Sequence, residues 1–189
     1  WTTSIFSGTT EWGTVNANGN SSVAPLSGSQ MVGFASYNYN SDTASIISPA
    51  MDLTSVTDPQ LTFNYTQVQW AGDQDQLRVF YRSSANGDWV QIGEYTDEVT
   101  TWTEITLDLP NPSSDYYVGF QATSGYGYGV TLDDVCVQAA LSTSENELLD
   151  MIIYPNPVEG NIVTIQSPID GLKEIEISAV AGRKVMDTV

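Results

Sequence analysis

Short runs in which apolar and polar side chains alternate place the strongest constraint on the fold of this chain. Within residues 61–66, Leu, Phe and Tyr alternate with Thr and Asn, and residues 77–82 and 105–109 repeat the pattern. A period of two residues is that of a β-strand with one buried face, and helical spacing of apolar residues is absent from residues 1–138. The pattern therefore predicts an all-β fold.

The spacing of the runs indicates how the strands are arranged. Gly, Ser, Asn, Asp and Thr separate runs at 30–37, 43–47, 61–66, 77–82, 89–92, 105–109, 116–122 and 129–137. About eight short strands at this spacing favour a two-sheet sandwich, because stacked sheets hide their edges. Asn86-Gly87 lies between two of the runs and predicts a hairpin, since both residue types tolerate a positive φ.

Composition excludes several classes of function. Asp and Glu total 23 against 5 Lys and Arg, which gives a formal net charge of -18. Nucleic-acid binding requires clustered cations, so this balance argues against it and equally disfavours docking on anionic lipid. An acidic surface suits a secreted protein and divalent cations. The sequence has no apolar run of the roughly 18 residues that a membrane span needs.

The chain lacks the side chains of the common nucleophilic enzymes. It contains no histidine, so neither a Ser-His-Asp nor a Cys-His arrangement can form within it. Carboxylate pairs could still do acid–base work, but the acidic residues lie in turns and at strand ends, and the sequence alone picks out no such pair. Cys136 is the single cysteine, which excludes an intrachain disulfide, and its apolar strand predicts that it is buried. We therefore expect a protein that is not an enzyme.

Pattern and composition divide the chain into three parts. Residues 1–138 form the first predicted domain, and residues 139–150 are a polar, acidic linker. Residues 151–189 form a second unit, with strands predicted at 162–165 and 175–180 and a further one beginning near the end. Three short strands are too few to bury a stable core, so the second unit is interpreted as truncated.

Two motifs in the second unit carry a resemblance to a known family. Tyr154-Pro155-Asn156-Pro157 opens the unit, and Gly182-Arg183-Lys184 forms the turn before its last strand. In order and spacing the unit resembles the type A C-terminal sorting domain of the type IX secretion system. The resemblance implies part of an immunoglobulin-like β-sandwich, the type IX secretion machinery as partner, and a destination in the medium or on the bacterial outer-membrane surface. The later strands that carry the export signal in that family are missing.

The first domain resembles the cleaved-adhesin and MAM-like jelly rolls. The segments that carry this resemblance are 46–53 (Ile-Ile-Ser-Pro-Ala-Met-Asp-Leu), 61–65, 75–81, 102–109, 117–120 and 130–135. The resemblance implies a jelly-roll β-sandwich of the kind found in secreted adhesins. It also implies that a first strand of the family, which would precede Trp1, is missing here.

Adjacent carboxylates in the last strand are the best candidates for a metal site. Asp133 and Asp134 interrupt an apolar run, and burying them requires a cation or hydrogen-bond donors. Ca²⁺ suits such a site because it takes six to eight oxygen ligands. Related jelly rolls bind structural calcium near this strand, which implies Asp133 and Asp134 as ligands, with Asp42 as a third and Asp75 as a weaker candidate. The alternative is that one Asp faces solvent and the other caps a turn.

Aromatic residues are the candidates for ligand binding. Tyr126 and Tyr128 lie in a Gly-rich loop and could stack on sugar rings, with core packing as the alternative. Trp70 could join such a platform, whereas Trp89 and Trp102 are expected to pack in the core. The sequence thus predicts a secreted, calcium-stabilised adhesion or carbohydrate-binding module with a glycan or protein surface as ligand. The alternative is an accessory jelly-roll domain of a larger secreted peptidase or glycosidase.

Overall fold

The computed structural model describes residues 1–18, 22–35 and 41–140, together with four short strands nearer the C-terminus. The chain divides into two compact units, Trp1–Ala140 and Leu141–Val189. All regular structure in the described residues is β-strand. None of these residues forms a helix that is long and apolar enough to cross a membrane.

Ten strands of the first unit form two antiparallel sheets. Their bounds are β1 (Thr2–Ser7), β2 (Gly13–Val15), β3 (Met31–Phe34), β4 (Thr43–Ile47), β5 (Pro59–Gln67), β6 (Gln76–Arg82), β7 (Val90–Tyr95), β8 (Val99–Asp108), β9 (Tyr117–Thr123) and β10 (Val130–Ala139). Sheet A has the order β1-β4-β9-β6-β7, and sheet B has the order β2-β3-β10-β5-β8. The predicted all-β sandwich is confirmed.

The core lies between the two sheets and follows from the alternation in the sequence. In β5, Leu61, Phe63 and Tyr65 are buried while their neighbours Thr62 and Asn64 are half-buried. Phe63 meets Phe120 of β9 edge to face, with ring centroids 5.0 Å apart. Aromatic pairs of this geometry stabilise a core by about 1 kcal/mol beyond the area that they bury.

All eight predicted strands are present, and β1 and β2 are additional. The hairpin at Asn86-Gly87 joins β6 to β7, but its turn differs from the prediction. The amide of Gly87 donates to the carbonyl of Ser84 at 3.1 Å, so Ala85 and Asn86 are the central residues of the turn. Neither Asn86 nor Gly87 has a positive φ among the described residues. The loop therefore does not need the positive φ angles that an Asn-Gly turn supplies.

A β-bulge in β10 overturns the prediction that Cys136 is buried. The pairing of β10 with β5 shifts register between Asp133 and Cys136, and Asp134 has a φ of 49°. Because a bulge adds a residue to one strand, it exchanges the faces of the residues that follow. Val135 packs against the core, and Cys136 is exposed.

The second unit contributes two antiparallel strand pairs. β11 (Ile152–Tyr154) pairs with β12 (Thr164–Gln166), and β13 (Ile175–Ser178) pairs with β14 (Lys184–Thr188). The predicted linker lies outside the described residues from 141 onward. The immunoglobulin-like character of this unit stays a prediction.

Candidate functional site

The outer face of sheet A carries a row of polar side chains across four strands. In β6, alternate residues are buried, and in β9 the inward residues Val118, Phe120 and Ala122 are buried, so the residues between them face outward. Strand register then places Ser45 beside Gln121, Gln121 beside Arg78, and Arg78 beside Glu94. Arg78 donates from Nε to Glu94 Oε1 at 2.8 Å and from Nη2 to Gln76 Oε1 at 2.8 Å. These contacts fix the row in place and offset the charge of Arg78.

A parallel apolar row lies next to the polar one. Register aligns Ile47 with Gly119 and Gly119 with Phe80. Trp89, which precedes β7, lies over Gly119, and a Cβ placed there would be 3.3 Å from Cζ3 of its ring. The absence of a side chain at Gly119 therefore seats the indole ring against the sheet. Phe6 borders the same row from β1.

The two rows together line a shallow groove of about 230 Å³. Its lining residues come from five separate segments of the chain: Phe6, Ser45, Ile47, Phe80, Trp89, Gly119 and Gln121. Aromatic and aliphatic surface forms the floor, and amide and hydroxyl groups stand at one side. This combination suits a flat, amphipathic molecule with hydroxyl groups, because apolar faces can stack while polar edges form hydrogen bonds.

Arg82 stands beside the groove and packs against two aromatic rings. Its Cζ lies 4.6 Å from the ring centroid of Trp89 and 4.4 Å from that of Tyr117. Tyr117 donates to Asp115 at 2.8 Å, and Asp115 also accepts from the amide of Ala85. The Tyr117 hydroxyl, the Ala85 amide and the nearby Arg82 charge hold the pKa of Asp115 below 3.8. Hydrogen bonding to Asp115 conversely raises the pKa of Tyr117.

The sequence expectation for the tryptophans was wrong. Trp89 is half-buried on the outer face of sheet A rather than in the core. Trp102 is half-buried as well, and its indole N–H donates to the carbonyl of Ala24 at 3.0 Å. Alternation alone did not predict this, because Trp89 lies outside a strand, in the turn before β7.

The loop that carries the predicted ligand residues Tyr126 and Tyr128 lies elsewhere in the fold. Both tyrosines are half-buried, and Tyr126 meets Trp70 edge to face with ring centroids 5.1 Å apart. Trp70 is 40% exposed. The structure thus brings Trp70 and Tyr126 together but does not place them with Trp89. Their role in ligand binding stays a prediction.

A buried carboxylate holds that loop. Asp75 Oδ1 accepts from the amides of Gly125 at 2.8 Å and Gly127 at 3.1 Å, and Oδ2 accepts from Gly129 at 2.7 Å. A Cβ on Gly127 would lie 2.7 Å from this carboxylate, so the close wrapping of the backbone requires glycine. Burial raises the pKa of Asp75 above 3.8, although the three amides act in the opposite direction. The sequence suggested a flexible loop, whereas the structure gives it a fixed anchor.

The predicted metal ligands Asp133 and Asp134 accept hydrogen bonds from the segment before β3. Asp133 Oδ2 accepts from the amides of Leu26 at 2.9 Å and Ser27 at 3.2 Å. Asp134 Oδ1 accepts from the Ser27 hydroxyl at 2.6 Å, and the Asp134 amide donates to Asp133 Oδ1. Hydrogen-bond donors therefore supply the compensation that the sequence allowed as an alternative to a cation.

The third predicted ligand, Asp42, is buried against the connection between β1 and β2. Its Oδ2 accepts from the amides of Thr9 and Thr10 and, at 2.6 Å, from the Thr10 hydroxyl. In the described part of the chain no three acidic or cysteine side chains converge on a common point that could hold a metal ion. As arranged here, the three Asp residues do not fit a shared calcium site.

The sorting motif falls mostly outside the described residues. Tyr154 ends β11 and Lys184 begins β14. Pro155, Asn156 and Pro157, like Gly182 and Arg183, lie in segments that the structure does not describe. The sorting function assigned to these residues stays a prediction.

A larger groove of about 470 Å³ opens between the sheets. It is lined largely by core residues such as Trp12, Met31 and Phe120, with Asp133 and Asp134 at one side. Trp1 packs over it, 6.2 Å from Phe120 between ring centroids. The carboxylates of Asp133 and Asp134 in its wall already accept hydrogen bonds from Leu26 and Ser27, and Thr14 and Gln30 add further polar groups to the lining.

Comparison with known proteins identifies the fold. No family model and no curated protein matches the chain. Among solved structures, the enzymatically active domain of bacteriophage CBA120 tailspike protein 4 is 18% identical, with a TM-score of 0.54 over 73% of this chain and 19% of its own. TmCBM61, solved in complex with β-1,4-galactotriose, is 12% identical, with a TM-score of 0.51 over 74% of this chain and 88% of its own.

The K1 cleaved adhesin domain of Lys-gingipain from Porphyromonas gingivalis W83 also matches. It is 23% identical, with a TM-score of 0.49 over 68% of this chain and 90% of its own. The tailspike and TmCBM61 show the same β-sandwich fold, as the sequence predicted, and this chain spans less than a fifth of the tailspike. The sorting-domain resemblance stays a prediction.

Proposed function

We propose that residues 1–140 form a non-catalytic carbohydrate-binding module whose ligand occupies the groove on sheet A. The observation that carries this proposal is the pairing of an apolar floor with a polar row across adjacent strands. Trp89 and Phe80 supply ring surface, while Gln121 and Ser45 supply hydrogen-bonding groups beside it. Sugar rings present a C–H face and hydroxyl edges, which such a surface complements.

The fold supports this proposal without fixing the ligand. TmCBM61 shares the sandwich, and its structure was solved with β-1,4-galactotriose bound. A rigid sheet face is a suitable scaffold because strand register fixes each contact residue relative to its neighbours. The histidine-free chain holds no nucleophile–base pair of the usual kind, which agrees with binding rather than catalysis.

Binding to a glycan array and to β-1,4-galactotriose, followed by titration calorimetry, tests the proposal. Trp89→Ala is expected to weaken binding at least about tenfold, because it removes the stacking surface. Trp102→Phe, on the opposite sheet, is the matched control and should bind as the wild type does. Tyr126→Ala and Tyr128→Ala test the site predicted from the sequence. If the two Tyr variants lose binding and Trp89→Ala binds as the wild type does, the ligand site is at the Tyr126 loop and not on sheet A.

The alternative role is an accessory domain of a larger secreted hydrolase. The likeness to the tailspike favours it in one respect, since there the matching region is 19% of a longer chain described as enzymatically active. Both roles use the same groove. The complete open reading frame separates them, because only the alternative places a catalytic domain in the same polypeptide.

We also propose that the protein is exported by the type IX route and displayed on or released from the outer membrane. The resemblance of residues 151–189 to type A sorting domains supports this. The full-length protein should be found at the surface or in the medium of cells with intact type IX machinery. Equal surface delivery in cells that lack the machinery would contradict it.

A structural calcium ion stays a prediction from the sequence resemblance. If one is bound, EDTA lowers the melting temperature and Asp133→Ala abolishes that effect, because ligands that bind only the folded state stabilise it. If EDTA changes nothing, the hydrogen bonds from Leu26 and Ser27 are the complete account of how Asp133 and Asp134 are stabilised.

A further inference from the structure

The positive charge of the first unit is confined to one face. Arg78 and Arg82 are the only basic side chains in residues 1–140, and every other charged side chain there is acidic. Both arginines point outward from β6, where Leu77, Val79 and Tyr81 are buried. The two charges therefore lie beside the proposed glycan groove.

The two arginines differ in how their charge is used. Arg78 forms an ion pair with Glu94 and a hydrogen bond with Gln76. Arg82 forms no hydrogen bond and no ion pair within 4 Å in the described part of the chain, and its Nε is buried without an acceptor. The Cζ atom of Arg82 lies over the rings of both Trp89 and Tyr117, and its Nη atoms have no partner among the described residues.

The carboxylate that binds the Tyr117 hydroxyl beside Arg82 is already engaged. Asp115 accepts from the Ala85 amide at 2.6 Å and from the Tyr117 hydroxyl at 2.8 Å. It lowers the local potential without forming a direct pair with Arg82. Packing against two aromatic rings restricts the orientation of the guanidinium, and its planar fork of N–H groups matches a carboxylate.

We propose that Arg82 binds a carboxylate on the glycan, so that the ligand is a mostly neutral saccharide carrying an isolated uronic-acid residue. This inference rests on the proposed function of the groove. Trp89 contacts both Arg82 and the groove, so a sugar stacked on the floor has the fork within reach of its next residue or branch. The surrounding acidic surface disfavours ligands with many negative charges, which restricts the ligand to a sparsely charged one.

The test compares two forms of one oligosaccharide. One probe is a xylo-oligosaccharide bearing a single 4-O-methylglucuronic acid, and the other is the same molecule after its carboxyl group has been reduced to an alcohol. The wild-type protein is expected to bind the acidic form about tenfold more tightly. Arg82→Gln should abolish this ratio while leaving binding of the reduced form detectable, and Arg82→Lys should retain part of it.

Each outcome separates the inference from the function on which it rests. Equal binding of both forms by the wild type overturns the uronate assignment but leaves a carbohydrate-binding groove. Binding of neither form, with no hit on a glycan array, counts against the function itself. If Arg78→Gln abolishes the ratio and Arg82→Gln preserves it, the assignment to Arg82 is wrong. Because the ratio is measured within each variant, a general weakening of the site does not affect it.

A more highly charged probe tests the restriction to one carboxylate. At low ionic strength, tetragalacturonic acid is expected to bind more weakly than the singly charged oligosaccharide, since the acidic domain repels it over a Debye length of about 30 Å at 0.01 M salt. Tighter binding of tetragalacturonic acid under these conditions would overturn the restriction.

Discussion

At the scale of single residues, the groove depends on a glycine, because a side chain at that position would displace Trp89. Gly119 is buried in the middle of β9, where Cζ3 and Cη2 of Trp89 lie 3.3 and 3.4 Å from the position that a Cβ would take. Its φ is not in the left-handed region, so the backbone does not require glycine there. What requires it is the ring that rests on the strand.

Gly119→Val is therefore expected to weaken glycan binding while the protein stays folded. The branched side chain would displace the indole of Trp89 from the sheet and narrow the groove. We expect a loss of about tenfold or more for Val and a smaller loss for Ala, since the Ala contacts are only slightly too close. Calorimetric titration with a thermal melt of each variant measures both effects. A Val variant that binds like the wild type would show that glycan binding does not require Trp89 to pack against Gly119.

At the scale of elements, one carboxylate organises a loop. The three amides of Gly125, Gly127 and Gly129 converge on Asp75, a fully buried residue that immediately precedes β6. Nothing covalent closes this loop. Its shape depends on a charged acceptor with two oxygens.

Asp75→Asn is expected to destabilise the protein by roughly 1–3 kcal/mol, because the amide NH₂ replaces an oxygen that accepts from Gly129 and leaves that donor unpaired. Denaturant unfolding measures the loss. Hydrogen exchange should show faster exchange at Gly125, Gly127 and Gly129 than in the wild type. Unchanged exchange at these amides would mean that the loop holds its shape without the carboxylate.

The loss of stability caused by Asp75→Asn is expected to depend on pH. Because burial raises the pKa of Asp75 above 3.8, the folded state binds the proton more tightly than the unfolded state. The contribution of this group to the free energy of unfolding is therefore largest below 3.8 and falls as the pH rises through the raised pKa. Asn does not titrate, so the stability difference between wild type and Asp75→Asn should narrow from acidic to neutral pH. A difference that widens would show that the three amides outweigh burial.

How far the sequence predicts these elements depends on whether a residue's position is determined by the local pattern or by distant strands. A local period of two residues determines the burial of Leu61, Phe63 and Tyr65, and the sequence predicted both their strand and its buried face. The exposure of Cys136 results from a bulge two residues before it. The bulge reverses which residues of β10 face the core, and the apolar pattern of the sequence does not reveal it. The positions of Trp89 and Arg82 also depend on residues of β9. Trp89 lies over Gly119 and Arg82 over Tyr117, and the pairing of β6 with β9 brings these residues together.

The candidate site could have been sought in β6 alone. Its outward residues Arg78, Phe80 and Arg82 are unusual in a chain with so few cations, and that contrast was present in the sequence. The partners Gln121 and Gly119 could not have been identified in this way. They lie about forty residues further on, and pairing between distant strands is not encoded in any local pattern.

At the scale of the whole molecule, each sheet depends on one late strand. Without β9, sheet A separates into the pairs β1–β4 and β6–β7. Without β10, sheet B separates into β2–β3 and β5–β8. Two-stranded ribbons are marginal in water, so the two central strands decide whether the sandwich forms.

A chain that ends at residue 128 is therefore expected to remain unfolded, whereas one that ends at Ala140 should fold. The shorter chain keeps nine of the strands but lacks β10, and with it the contacts of Val130 and Leu132 in the core. Circular dichroism and the dispersion of amide resonances distinguish the two. A cooperative unfolding transition in the shorter chain would show that the ribbons of sheet B suffice.

The position of these two strands also affects how the protein folds as it is synthesised. During translation, residues 1–116 emerge before either sheet can be completed. Strands of such wide sequence separation pair slowly, on the order of milliseconds to seconds. The emerging polypeptide thus passes through a period as loose ribbons with open edges, during which it is exposed to proteases and to aggregation and is a substrate for chaperones.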